Sequence, residues 1–425
     1  MIARFFQNQL DYVLFVNGLA FIILALFCHM IHKQGRPVLP WRTMILFGLI
    51  RGCAEWLDML NLSINLGPII LALRIILMGI SFFLLLEFAR RGWAPRGRRP
   101  GFWIPLCLVV AGFTGGLSGL AGLEASFRYS LALTGSVGAA LVLWRAGSAE
   151  ADPRIRRGLM QAGVALSLYS ILAGLVVPRA GFPPATFMNQ EYFFDTFGIP
   201  VQLARAALII LLAFSFHTIA VRKIADRLPA AGFQGLTFLQ RHSIVVFAVI
   251  LALGWVLTEA MGRYEEGLQK KSLLARARTV AAAINEDRIL HLKGVRSDVD
   301  HPDYVRLKEL LTRVRQANPD SRFLYLMIMK QEQVVFLVDS EPADSADYSP
   351  PGQVYTEASP SILECFKTGD TIIEGPIEDR WGIWVSAFVP ITDKSGRLIT
   401  LLGMDIGADL WLSNLDKARL IPILV

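Results

Sequence analysis

The sequence predicts an α-helical polytopic membrane domain of about eight spans. An α+β domain follows, with a five-stranded antiparallel sheet and a long N-terminal helix. Three observations carry this. Of the 425 residues, 54% are hydrophobic and 18% charged, the balance of a chain that crosses a bilayer repeatedly. Apolar runs near the roughly 20 residues that a hydrocarbon core requires succeed one another as far as residue 260 and then stop. Charge changes sign at the same place: residues 1–260 carry 22 Lys and Arg against 11 Asp and Glu, and residues 261–425 carry 20 against 24. The basic excess therefore belongs to membrane loops and gives no nucleic-acid surface.

The expected spans lie near 11–31, 43–61, 68–89, 102–122, 125–144, 158–177, 197–220 and 242–260. The first follows only Arg4 and lacks a small-residue cleavage site, so it reads as a retained helix and not a signal peptide. Alternate connecting segments are basic. They hold Lys33, Arg36 and Arg42; Arg90, Arg91, Arg96, Arg98 and Arg99; Arg145, Arg154, Arg156 and Arg157; and Arg222, Lys223, Arg227 and Arg241. The opposite set holds Arg4 and Arg179. By the positive-inside rule the basic set is cytoplasmic. The N-terminus and everything after the eighth span are then extracytoplasmic. Cys28, Cys53 and Cys107 lie in apolar runs and Cys365 stands alone in the second half, so neither a disulfide framework nor a metal motif is indicated. His29, His32 and His217 fall at the inner ends of spans, where depth alone would permit a metal or haem; nothing else in the sequence supports either, and no cofactor is expected.

The second span is charged. Arg51, Glu55 and Asp58 share one helical face by their spacing of four and three. Arg74, in the third span, lies nine residues beyond the turn near Asn65 and Glu55 ten before it, so both sit at similar depth and Arg74 can pair with Glu55 or Asp58. Arg128 and Arg205 fall in the outer halves of their spans. Ionisable groups at such depth cost roughly 2.5–3.5 kcal/mol each on insertion scales and mark functional positions. Two readings fit: a polar cavity open to the outside that holds a small polar or anionic ligand, or an ion-pair network that fixes helix packing.

The eighth span continues without a break into a charged helix that runs to Leu292. Leu273, Ala277, Val280 and Ile284 recur at steps of four, three and four, a narrow seam suited to a partner helix. A second amphipathic helix follows His301, with Val305, Leu307, Leu310, Leu311 and Val314 on its apolar side and Asn318-Pro319-Asp320 as its stop. Strands are expected at 323–329 and 334–339 around a turn at Lys330-Gln331-Glu332. A Pro-rich loop spans 340–355, and a short helix from Ser359 to Thr368 is capped by Ser359 or Ser361 and ended by Gly369. Strands close the domain at 371–375, 383–391 and 397–406, the last two joined by Thr392-Asp393-Lys394-Ser395-Gly396.

This order, together with Phe323-LYLM, Val338-DSEPADSADYSPPGQ, Asp379-RWGIWVSAFVPI and Leu402-GMDI, resembles an extracytoplasmic Cache domain, the PAS-like sensor of bacterial receptors. The resemblance covers about 261–415. Gly48-LIRGCAEWLD and the multi-span block resemble the membrane input regions of sensor histidine kinases and diguanylate cyclases. It implies a ligand pocket on one face of the sheet, a homodimer joined through the long helix, and signalling across the inner membrane in a two-component system. The pocket candidates are Tyr325 and Asp339 on the first hairpin, Tyr355 after the Pro-rich loop with Tyr348 within it, Arg380, Trp381, Trp384 and Ser386 around the central strand, and Asp405. In that reading Arg380 grips a carboxylate, the aromatics box an amine or an apolar body, and Asp405 pairs an ammonium. Amino-acid-binding Cache domains use a comparable Tyr, Arg-x-Trp and Asp set; here Arg380 is followed directly by Trp381. The alternative is that the Trp residues are core, Asp405 caps a strand end and Arg380 is a surface charge.

The expected organisation is a seven-span block over 1–241, an eighth helix over 242–260, the Cache-like domain over 261–415, and over 416–425 the first turns of a ninth span. The sequence shows no phosphoacceptor His motif, nucleotide loop, nucleophile elbow or HExxH helix. Input is expected here, with the kinase or cyclase output continuing beyond Val425 or carried by a separate chain. The rival expectations are a transporter or membrane enzyme with an external substrate-binding domain, and an adaptor that docks on a separate kinase.

Overall fold

The computed structural model describes residues 6, 9–34, 39–64, 66–93, 100–225 and 230–425, excepting the side chains of 230–244 and 246. Arg4, Arg36, Asn65, Arg96, Arg98, Arg99 and Arg227 lie outside the described residues, as does the side chain of Arg241. The chain divides into two compact units, one of Met1–Thr258 with Pro422–Val425, the other of Glu259–Ile421.

The first unit is helical. Its elements are α1 (Leu10–Lys33), α2 (Trp41–Ile64), α3 (Pro68–Trp93), α4 (Trp103–Phe113), α5 (Gly119–Phe127), α6 (Thr134–Ser148), α7 (Pro153–Gly174), α8 (Gln190–Phe197), α9 (Val201–Ala225) and the start of α10 (Ala230–Ala283). Among the described residues, five helical stretches are long and apolar enough to cross a membrane: Leu10–Lys33, Pro68–Trp93, Trp103–Ser148, Val201–Ala225 and Phe247–Ala283. These make the chain a membrane protein. The expectation was eight spans, and the difference has physical causes. Helix α2 carries Arg51, Glu55 and Asp58, and α7 starts with Arg154, Arg156 and Arg157.

The stretch Trp103–Ser148 doubles back within itself. A 3₁₀ turn at Thr114–Ser118 ends at Gly119, whose φ of +77° breaks the helix. A Cβ on Gly115 would stand 2.2 Å from the Gly122 carbonyl oxygen, so only glycine lets the two arms meet this closely. A π-helical turn, Arg128–Leu133, interrupts the returning arm. The interior is apolar, with Phe21, Leu24, Phe47, Phe82, Leu85, Leu166 and Phe216 at its centre.

The second unit holds one antiparallel sheet. Its strands are β1 (Ser321–Lys330), β2 (Gln333–Asp339), β3 (Ile372–Asp379), β4 (Gly382–Thr392) and β5 (Leu398–Gly407), in the order β2-β1-β5-β4-β3. The two-residue turn between β1 and β2 puts Gln331 and Glu332 at φ of +48° and +62°, the twist a tight hairpin demands. Side chains alternate between faces. Leu324, Leu326, Val385, Ala387, Leu402 and Met404 join one core with the long helix; Phe323, Tyr325, Met327, Phe388 and Leu401 form the other.

Helix α10 ends at Ala283, short of the Leu292 expected. Asn285 is the reason: its side chain accepts from the Asp287 N–H and caps a separate short helix, α11 (Glu286–Leu290). The seam Leu273, Ala277, Val280 and Ile284 is buried against the domain's own sheet and α12 (Pro302–Ala317), so it is not a surface for a partner helix. Val305 is 43% exposed, and Tyr304 fills the buried position beside Leu307 and Leu311. Ser359 caps α13 (Pro360–Thr368), Gly369 ends it in the left-handed region, and α14 (Ala408–Leu424) follows β5 directly.

Candidate functional site

The second face of the sheet carries a small cavity of about 20 Å³, room for about one water. Its lining includes Tyr325, Asp339, Tyr355, Trp381 and Asp405 from the residues predicted, together with Phe323, Phe336, Asp347, Ser349 and Asp379. The pleat explains the convergence. Tyr325 and Phe323 alternate outward from β1, and Asp405 lies opposite Phe323 on β5 and opposite Ser386 on β4. Tyr325 donates to Asp405 Oδ1 at 3.2 Å, and Ser386 also bonds that carboxyl. Burial pushes the Asp405 carboxyl up to about 7; the bonds from Ser386 and Tyr325 oppose this, and the charges of Asp379 and Asp339 add to it.

Asp379 organises the opposite wall. Its Oδ1 accepts from the N–H groups of Trp381 (2.9 Å) and Gly382 (3.2 Å) and from the Trp384 indole (2.9 Å), and its Oδ2 accepts from Tyr355 (3.2 Å). Phe336, Tyr355 and Trp381 pack as a cluster with centroids 5.6–6.1 Å apart. Trp384 meets Phe323 edge-on at 4.9 Å and stands behind the lining.

Asp339 ties down the loop that covers the cavity. Its two oxygens accept the N–H groups of Glu341 (3.0 Å) and Ser349 (2.8 Å). Burial raises its carboxyl to about 6 against the pull of those two bonds. Gln353 and Gly352 then bond across to Phe336, continuing the sheet edge. Tyr348 turns away from the cavity, its hydroxyl 2.8 Å from that of Tyr304.

Arg380 stands apart. It is 39% exposed at the side chain and makes a bidentate pair with Glu357, at 2.7 and 2.6 Å, while its guanidinium lies 5.0 Å over Trp381. It does not line the cavity. Asp379 is the residue that the sequence reading missed as a ligand candidate. The signal was local: an Asp two and three positions before exposed turn N–H groups, closed by a glycine at φ +145°, is an Asx-type turn.

The first unit holds the other cluster. Arg51, Glu55, Asp58, Arg74, Arg128 and Arg205 all line one cavity of about 310 Å³. Arg51 pairs with Glu55. Arg74 donates to Asp58 at 2.7 Å and also to Glu124, a partner the sequence reading did not include. Arg128 takes the same carboxylate at 2.7 and 2.9 Å. Glu124 and Arg128 are four apart, a spacing visible in the sequence but hidden by placing Glu124 in a loop. Among the described residues no group of three or more His, Cys, Asp and Glu is placed to hold a metal ion. His217 packs between Phe27 and Phe214, and His32 accepts from Arg42 at 3.3 Å.

No protein-family model matches this chain, and no curated protein matches it in sequence.

Proposed function

We propose that the chain is the input module of a transmembrane receptor, and that its sheet domain binds a small organic cation. The lining chemistry carries the ligand class. Asp339, Asp347, Asp379 and Asp405 bring carboxyls to a cavity walled by Phe323, Tyr325, Phe336, Tyr355 and Trp381. Of the neighbouring cations, Arg322 pairs with Asp347 and Glu341, which leaves Asp339, Asp379 and Asp405 without an ion pair among the described residues, and Arg380 is held outside by Glu357. Carboxylates supply charge and aromatic faces supply a polarisable box, the pairing that selects ammonium groups. The cavity is small in this state, so binding requires the Ser340–Tyr355 loop to move.

In this reading eight spans place both the N-terminus and the sheet domain outside the bacterial inner membrane. The domain is a Cache-like sensor acting as a homodimer. The signal passes through the helix Ala230–Ala283 to a kinase or cyclase, whether in the same chain or a separate one. The support is that α10 is helical without interruption from its apolar part to the turns buried in the sheet domain's core. A ligand shifts such a device only by its differential affinity for two states.

The test is calorimetry on the full chain in nanodiscs with choline, ethanolamine and putrescine. At least one should bind saturably, Asp405→Asn and Trp381→Ala should each weaken it about tenfold or more, and Arg380→Gln should leave it within about twofold. Hydrogen exchange over 259–283 should change on binding. Absence of binding by all three amines, or binding indifferent to both Asp405→Asn and Trp381→Ala, would refute the cation site. Binding with unchanged exchange over the helix would count against its role as transmitter.

A further inference from the structure

We propose that the cavity among the helices of the first unit is a second ligand site, specific for a small monocarboxylate. The inference is independent of the amine site. The cavity lies at one end of the bundle, where α1, α3 and α9 begin and α2 ends. Its volume of about 310 Å³, against about 20 Å³ for the cavity on the sheet, is enough for a small organic acid.

The charges decide the class. Four guanidinium groups and three carboxylates line the space. Glu55, Asp58 and Glu124 are all bonded by Arg51, Arg74 and Arg128. Arg205, 3% exposed, donates instead to the carbonyl oxygens of Leu172 and Val176, and makes no ion pair with a carboxylate among the described residues. The Nε atoms of Arg51 and Arg74 are buried with no hydrogen-bond partner, and the lining carries one excess positive charge. A single negative charge balances that excess; a dianion would reverse it in a medium of low dielectric. The planar carboxylate also matches the guanidinium fork, and Leu10, Leu14 and Leu62 offer an apolar wall for an aliphatic or aromatic body.

The experiment uses the full chain in nanodiscs with acetate, lactate, benzoate and inorganic phosphate as probes. Thermal unfolding and calorimetry provide the readouts. At least one carboxylate should raise Tm saturably and bind at one site, about tenfold or more weakly in Arg205→Gln. Gln202→Leu, which removes a lining amide and leaves the guanidinium in place, should also weaken binding and decides the matter if Arg205→Gln fails to fold. Asp405→Asn should leave the carboxylate response intact, which separates this site from the amine site. The proposal is overturned if no carboxylate binds saturably, if binding is equal in every folded cavity variant, or if phosphate binds as tightly as the best carboxylate.

Discussion

At the scale of single residues the buried carboxyls set a pH dependence whose sign can be worked out. The unfolded Asp titrates near 3.9, whereas Asp405 in the fold titrates at about 7. Between those values the native state holds the proton and the unfolded chain does not. Stability from this group is therefore full below about pH 4 and lost as pH rises towards 7. Asp405→Asn should stabilise the sheet domain by about 2–4 kcal/mol at pH 8 and by little at pH 4, measured by chemical unfolding. Equal effects at both pH values would show that the fold does not raise this carboxyl above its unfolded value. A bound ammonium reverses the preference, because it favours the charged carboxylate. Amine affinity should rise from pH 6 to pH 8 with release of a proton, seen as a dependence of calorimetric heat on buffer ionisation. Much at this scale was legible, since the predicted Tyr325, Asp339, Tyr355, Trp381 and Asp405 share one cavity. Of the two readings that the sequence leaves for Arg380, the structure has it outside the cavity, because Glu357, 23 positions away, claims it. A pairing of that kind depends on how the loop before α13 folds, and no local pattern encodes it.

At the scale of elements, the strands were legible because a sheet with two buried faces writes its limits in turn residues. The hairpin turns at Gln331-Glu332 and at Gly396 define β1, β2, β4 and β5 to within two or three positions. Helix packing was less so: period alone shows that Leu273, Ala277, Val280 and Ile284 share a face, and cannot say whether that face meets a partner or the chain's own sheet. Burial in the domain core predicts that Leu311→Ala, at a site with 0% exposure, costs about 2–5 kcal/mol. Helix α10 itself offers a cleaner probe at Gly267, around which a Cβ would meet nothing within 4 Å. Gly267→Ala should raise stability by about 1 kcal/mol. Gly267→Pro should lower it by about 3 kcal/mol and raise hydrogen exchange in the turn before it. Equal exchange in the two variants would mean that the helix is already frayed there, and a frayed helix could not carry a signal.

For the whole molecule the question is orientation, and the proposed topology rests on charge asymmetry rather than on hydropathy. Among the described residues hydropathy counts five strong stretches, because α2 and α7 exchange apolar residues for arginines and carboxylates, and because Trp103–Ser148 folds back on itself. The basic residues are insensitive to that ambiguity. Arg90, Arg91, Arg145, Arg154, Arg156, Arg157, Arg222 and Lys223 sit at the ends of α3, α6, α7 and α9, with only Arg179 in the segment joining α7 to α8. Translocating a cluster of arginines is costly, so the proposed topology keeps the end that carries them in the cytoplasm. On the proposed topology the sheet domain, reached after one further span, lies outside. With Cys53 and Cys107 replaced, Cys28 and Cys365 remain as buried thiols. Ser395→Cys, on the exposed β4–β5 turn, should react with an impermeant maleimide on intact cells. Ala149→Cys, exposed beside Arg145, should react only after permeabilisation. The reverse pattern would place the sheet domain in the cytoplasm. The amine and carboxylate sites would then sample metabolites of the cell itself, and a receptor for external ligands would no longer be the economical reading.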